Sequence, residues 1–299
     1  MNRREALARL ALGGVGAASA ALAGCNPNDF LIPDGPGRDG RLSARPSSTG
    51  QVNTPGTVAL GLNPDRDAYL YVPATLPAGP APLVMHLHGD PGHGLGAIQF
   101  WSGLAEELGF VLLTPSSQAQ PWDAIVQWYG HDVLFIDRAL EAAFARSDID
   151  AGRIGISGFS AGASYALALG RTNGDLFRRI VSIAPAYLLD VPTTGRPEVF
   201  VIHGTGDPVA PIHLTSDLHV PRLRAAGYDV TYETFDGGHV IPTALSREAF
   251  AWMVRVGVAV EGLDAGISVG PWPAASSCIP SSGHPPRPSV PGAWWTPRP

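Results

Sequence analysis

From residue 57 onward the chain alternates between two hydrophobic rhythms. Short continuous apolar runs read as strands, and apolar residues three or four apart read as helices. Thr57–Leu62 and Ala68–Val72 are the first two strands, and the turn formers of Asn63-Pro64-Asp65-Arg66 between them predict a hairpin. Leu83–Leu87, Val111–Thr114, Arg153–Ser157, Ile180–Ala184, Val199–His203 and Tyr228–Phe235 follow as further strands. Helical spacing separates them at Ile98–Leu108, at Val133, Ile136, Leu140 and Phe144, and at Ala161–Leu169. It returns around Leu214–Ala225 and closes with Leu245, Ala249, Trp252, Met253 and Val256. Buried strands alternating with helices predict an α/β fold, a mostly parallel sheet covered on both faces. In such sheets active sites lie at the carboxyl ends of the strands.

The two ends of the chain keep neither rhythm. Arg3, Arg4 and Arg9 precede a run of small apolar residues from Leu10 to Ala23, the layout of an export signal with a twin-arginine start. Leu22-Ala23-Gly24-Cys25 then resembles a bacterial lipobox, so Cys25 is the expected lipidation site and the expected location is extracytoplasmic, anchored to a membrane. Residues 1–24 are thus read as signal and 25–55, rich in Pro, Gly, Ser, Asn and Asp, as a flexible tether. Residues 56–257 form the catalytic domain, and 258–299 a proline-rich tail. The net charge of −6 argues against a nucleic-acid partner, and the two cysteines, Cys25 and Cys278, make no disulfide framework.

Candidate chemistry centres on Gly158-Phe159-Ser160-Ala161-Gly162, a G-x-S-x-G sequence between an expected strand and an expected helix. That setting predicts a sharp turn exposing Ser160 at a helix N-terminus, as a nucleophile requires. A serine hydroxyl needs a base to take its proton and an acid to orient that base. Asp207, in His203-Gly204-Thr205-Gly206-Asp207-Pro208, and His239, in Phe235-Asp236-Gly237-Gly238-His239, follow Ser160 as acid and then base, each just past a strand. His86-Leu87-His88-Gly89-Asp90 ends the third strand, which makes the backbone N–H groups of Asp90 and Ala161 the expected oxyanion donors. Trp122, Trp128 and Tyr129 are candidate apolar walls for the substrate, with core packing as their alternative.

Two rival readings use the same residues. His86, His88, Asp90 and His93 form H-x-H-x-D-x-x-H, which resembles the zinc motif of metallo-β-lactamase-like hydrolases, with His203 and His239 as later ligands. Pro91 and Gly92 interrupt that motif, and it leaves Ser160 without a role. The other rival is a catalytically silent, lipid-anchored binding protein on the same scaffold.

Assembled, these residues resemble bacterial esterases of the phospholipase/carboxylesterase group within the α/β-hydrolase superfamily. More distantly they are similar to acyl-protein thioesterases and polyhydroxyalkanoate-depolymerase-like feruloyl esterases. The resemblance runs from about Gly56 to Gly257 and is strongest over Gly158–Leu167, continuing through Thr172-Asn173-Gly174-Asp175-Leu176-Phe177. It also includes Arg66-Asp67-Ala68-Tyr69, Trp122-Asp123 and Tyr129-Gly130-His131-Asp132-Val133. It implies a carboxylic-ester hydrolase that forms an acyl-enzyme and needs no cofactor. Only Tyr187–Pro197 is available for a cap after the sixth strand, so a large lid is not expected.

Overall fold

Eight strands form one sheet, and their order explains why the site residues meet. The computed structural model describes residues 38–47, 53–76, 78–118, 120–126 and 129–255. In chain order the elements are β1 (Gly56–Ala59), β2 (Ala68–Val72), β3 (Ala81–Leu87), α1 (Gly94–Leu108) and β4 (Val111–Pro115). The short α2 (Asp123–Val126), α3 (His131–Phe144), β5 (Ile149–Phe159), α4 (Ala161–Thr172) and β6 (Arg179–Ile183) follow. The chain then runs through β7 (Glu198–Gly204), a 3-10 turn at Ile212–Leu214, α5 (Ser216–Ala225), β8 (Val230–Phe235) and α6 (Thr243–Val254). Sheet order is β1-β2-β4-β3-β5-β6-β7-β8, antiparallel from β1 through β2 to β4 and parallel elsewhere. This is the expected α/β-hydrolase architecture, with no cap domain between β6 and β7.

The central strands are continuous apolar runs because both of their faces are covered. Every residue of β3 and β4 is buried. One face packs against α3 and α4 through residues such as Leu83, Met85, Ile136, Leu140 and Leu169. The other packs against α1 and α6 through Val84, Leu112, Trp101 and Phe250. Helix α1 starts at Gly94, four residues earlier than its apolar spacing indicates. The glycines at 94 and 96 are poor helix formers that hide the start. His93 nonetheless caps it, its Nδ1 accepting from the Gly96 N–H at 3.0 Å.

The tether reading fails over residues 38–47, which pack on the folded body. Leu42 is only 3% exposed and Ala44 is also buried. Arg41 makes a two-pronged ion pair with Asp175, both bonds at 2.8 Å, and Arg45 reaches the same carboxylate at 2.6 Å. Asn173 brackets the segment, accepting from the Leu42 N–H at 2.9 Å and donating to the Gly40 carbonyl at 2.7 Å. Asp137 of α3 accepts from the Ser43 N–H and hydroxyl. The export signal, the Cys25 lipobox, the rest of the tether and the proline-rich tail lie outside the described residues. Among the described residues no helix is long and apolar enough to cross a membrane.

Leu42 supplies most of the apolar contact of this strap. Leu42→Ala is therefore expected to lower unfolding free energy by about 2 kcal/mol in urea titration, the low end of the buried-leucine range.

Candidate active site

Strand β5 runs directly into α4 with Ser160 as the only residue between them. Its backbone has φ +56° and ψ −119°, a strained conformation for a residue with a side chain. The Ser160 N–H donates to the Ile183 carbonyl at 2.9 Å, which ties the turn to β6. A Cβ at Gly158 would lie 2.2 Å from the Gly162 carbonyl oxygen, and one at Gly162 would lie 2.1 Å from that of Leu87. Both glycines are thus required by close backbone approach. Gly89 is held against the same turn, where a Cβ would sit 3.4 Å from that of Ser160.

The loops after β7 and β8 bring Asp207 and His239 to this turn. His239 Nε2 lies 2.8 Å from Ser160 Oγ, and its Nδ1 lies 2.6 Å from Asp207 Oδ2. A carboxylate oxygen only accepts, so Nδ1 carries the hydrogen and Nε2 presents its lone pair to the serine hydroxyl. Asp207 Oδ1 accepts from the N–H groups of Val209 and Ala210, both at 2.8 Å. Burial pushes the Asp207 carboxyl up, but those N–H groups and the His239 ring outweigh it and hold the carboxyl below its usual value.

A second histidine stands behind this carboxylate, in a role that sequence reasoning missed. His203 is fully buried, with Nε2 2.8 Å from the Ala210 carbonyl and 3.2 Å from Asp207 Oδ2. Both neighbours are acceptors, so Nε2 carries the hydrogen and Nδ1 accepts from Ser216 Oγ at 2.6 Å. Burial lowers the His203 pKa, so the contact with Asp207 is a hydrogen bond from a neutral ring, not an ion pair. The position of this residue, four before Asp207, carries no distinguishing sequence signal.

The loop after β3 completes the surroundings of Ser160. Asp90 lines the same cavity of about 290 Å3 as Ser160 and His239. Ala161 is the first residue of α4, where a backbone N–H has no partner within the helix. His88 fixes the loop. Its Nδ1 donates to the Gly89 carbonyl at 2.7 Å, and its Nε2 accepts from the Ser117 N–H at 3.0 Å.

Two of the expected substrate walls are elsewhere. Trp122 is 0% exposed, stacks on Tyr165 and donates from Nε1 to the His88 carbonyl at 3.0 Å. It supports the β3 loop from beneath because its indole N–H finds its acceptor there. Tyr129 is buried against Gly40 and Thr172 under the strap. Trp128 lies outside the described residues. The apolar residues that line the cavity at Ser160 are instead Ala97, Phe100 and Trp101 of α1 together with Phe159 and Ile241.

The zinc reading is not supported by the disposition of its residues. Besides the committed nitrogens of His88, His86 Nδ1 bonds Ser157 Oγ at 2.8 Å and His93 Nδ1 caps α1. Among the described residues no three His, Cys, Asp or Glu side chains are grouped to hold a metal ion.

The phospholipase/carboxylesterase family model matches residues 116–247, a span that includes Ser160, Asp207 and His239. This segment is thus similar to the phospholipase/carboxylesterase family. No curated protein matches the chain. Among solved structures, the substrate-bound fluorophosphonate-binding serine hydrolase FphF of Staphylococcus aureus is similar with a TM-score of 0.53 at 16% identity. The match covers 68% of this chain and 100% of that one. The S-formylglutathione hydrolase FrmB of the same organism gives 0.53 at 13% identity, covering 68% and 99%. At such identities the likeness establishes the fold alone.

Two outcomes follow from this packing. Gly162→Ala drives a methyl group into the Leu87 carbonyl, so it should destabilise by about 1–3 kcal/mol in thermal or urea unfolding. The second concerns pH. Burial pushes His86 down to about 3 and His88 to about 4, whereas an unfolded histidine titrates near 6.5. The unfolded chain therefore takes up protons first as pH falls. The stability contributed by keeping these rings neutral is complete above about pH 6.5 and declines toward pH 4, by up to about 1.4 kcal/mol per pH unit for each histidine. Urea midpoints measured from pH 7 to 4.5 should fall accordingly; a flat profile would contradict the buried neutral assignment.

Proposed function

We propose that the protein is a serine esterase that hydrolyses carboxylic esters through an acyl-enzyme, with Ser160 as nucleophile, His239 as base and Asp207 as the orienting acid. The observation that carries this reading is the unbroken hydrogen-bond chain Ser160–His239–Asp207, at 2.8 and 2.6 Å. The match to the phospholipase/carboxylesterase family model supports the hydrolase class, and the order of the hydrogen bonds supports the roles.

In the first half-reaction Ser160 Oγ forms a bond to the ester carbonyl carbon while His239 Nε2 takes the hydroxyl proton. The electron pair displaced onto the carbonyl oxygen faces the N–H groups of Asp90 and Ala161, the proposed oxyanion donors. Asp207, held ionised by its N–H donors, stabilises the imidazolium that forms. When the tetrahedral species collapses, the alkoxide leaves with the proton from Nε2 and the acyl group stays on Oγ. Water then repeats the sequence, with His239 as base, and releases the acid. The substrate is a small-molecule or lipid-like ester. The N-terminal segment through Cys25 would tether the enzyme to a membrane on its extracytoplasmic side.

Ser160→Ala should lower kcat by roughly 10⁴-fold or more in a folded protein, as loss of a nucleophile does. His239→Ala should be nearly as damaging and Asp207→Asn less so, with non-additive double variants because the three act as one unit. Unchanged hydrolysis in any folded Ser160→Ala preparation would remove the assignment. For the anchor, Cys25→Ser should move activity from the membrane fraction to the soluble or unprocessed fraction without altering turnover of soluble esters. An unmodified Cys25 in an uncleaved wild-type chain would refute it.

A further inference from the structure

Beside Ser160 the cavity wall is built from rings. Trp101 is buried and stacks on Phe250 at 4.6 Å between centroids, and Phe100 meets its edge at 4.9 Å. Phe159 packs on the His239 ring at 4.9 Å. Phe100 is the unusual member: it is 58% exposed although the next residue is in the core. A large aromatic side chain left at the mouth of a cavity offers its surface to whatever enters. Gly89, Gly92 and Gly96 stand among the other lining residues and add no side chains.

The charges of this lining are as informative as its rings. Among the described residues no arginine lines the cavity, and the one carboxylate there is Asp90. The remaining titratable groups are His86, His88, His93 and His239. Burial keeps His86 and His88 neutral near pH 7. An anionic group entering here would lose water and meet Asp90, while the Arg66 guanidinium behind the loop is engaged by the Gly92 and Ser117 carbonyls, so entry is costly. A neutral apolar group gains by covering Phe100, Trp101 and Ile241.

Resting on the serine-hydrolase reading above, we propose that this cavity is the specificity subsite. It takes the compact apolar or aromatic group of a neutral ester, with Phe100 as its outer wall, and it excludes anionic esters. The proposal replaces the wall expected at Trp122 and Tyr129 with one on α1.

Two matched pairs of substrates test it and also locate the subsite. p-Nitrophenyl butyrate and p-nitrophenyl hemisuccinate differ in charge on the acyl side. 4-Methylphenyl acetate and 4-(carboxymethyl)phenyl acetate differ on the alcohol side. At pH 7.5 at least one pair should favour the neutral ester by about tenfold or more in kcat/KM, the scale of a good apolar pocket contact. In that same pair Phe100→Arg should narrow the preference about tenfold, and Phe100→Ala should lower kcat/KM for the neutral ester. Because Phe100 is half outside the core, both variants should fold, and labelling of Ser160 by a fluorophosphonate checks that they do. Equal hydrolysis of neutral and anionic esters in both pairs would overturn the subsite. So would an unchanged ratio in a Phe100→Arg variant whose Ser160 still labels. Failure of Ser160 to label in the wild-type protein is a different result, which removes the serine-hydrolase reading and the subsite with it.

Discussion

Between β5 and α4 the backbone reverses so tightly that Ser160 takes a positive φ and Gly158 and Gly162, two residues away on either side, have no room for a side chain. The approach of Gly162 to the carbonyls of Leu87 and His88 presses α4 onto the end of β3, and so fixes the distance between the serine and the loop carrying Asp90. The hydrogen bond from Ser160 N–H to β6 supports the same turn from the other side. The cavity walls follow from it as well, since Phe159 belongs to the turn and packs on His239. A change that relaxes the turn would therefore disturb several groups at once.

The acidic end of the hydrogen-bond chain is held by equally local means. Asp207 is buried, yet its two oxygens face two backbone N–H groups, His239 and the neutral ring of His203. That concentration of donors is what lets a carboxylate remain charged away from water. The β3 loop is organised in the same way: His88 uses both ring nitrogens internally, and Trp122 holds its carbonyl from below. Side chains with apparent chemistry of their own thus serve to hold backbone in place.

Much of this was legible in the sequence, for identifiable reasons. Strands buried on both faces give uninterrupted apolar runs, so Leu83–Leu87 or Val199–His203 needed no tertiary information. That Ser160, Asp207 and His239 meet was foreseeable because each sits just past a strand, in the chain order that this fold uses. Direction was harder to read. Trp122 and Tyr129 are loop aromatics whose orientation depends on acceptors at His88 and Thr172, far away in sequence. Phe100 and Trp101 are adjacent on α1 and both line the cavity, and only packing decides that Trp101 is buried while Phe100 stays exposed. The strap at 38–47 did leave a signal, since Leu42 and Ala44 alternate with Arg41, Ser43 and Arg45, but so short an alternation within a proline- and glycine-rich stretch is easily passed over.

The central claim is that an acyl group passes through Ser160 Oγ, and trapping that group tests it most directly. The protein would be mixed with excess p-nitrophenyl acetate, quenched in acid within milliseconds and digested for mass spectrometry. The account predicts acetyl on the peptide containing Ser160, together with up to one equivalent of p-nitrophenolate released before steady state. Rapid turnover with no acetylated peptide at any quench time, or with acetyl on a different residue, would contradict it.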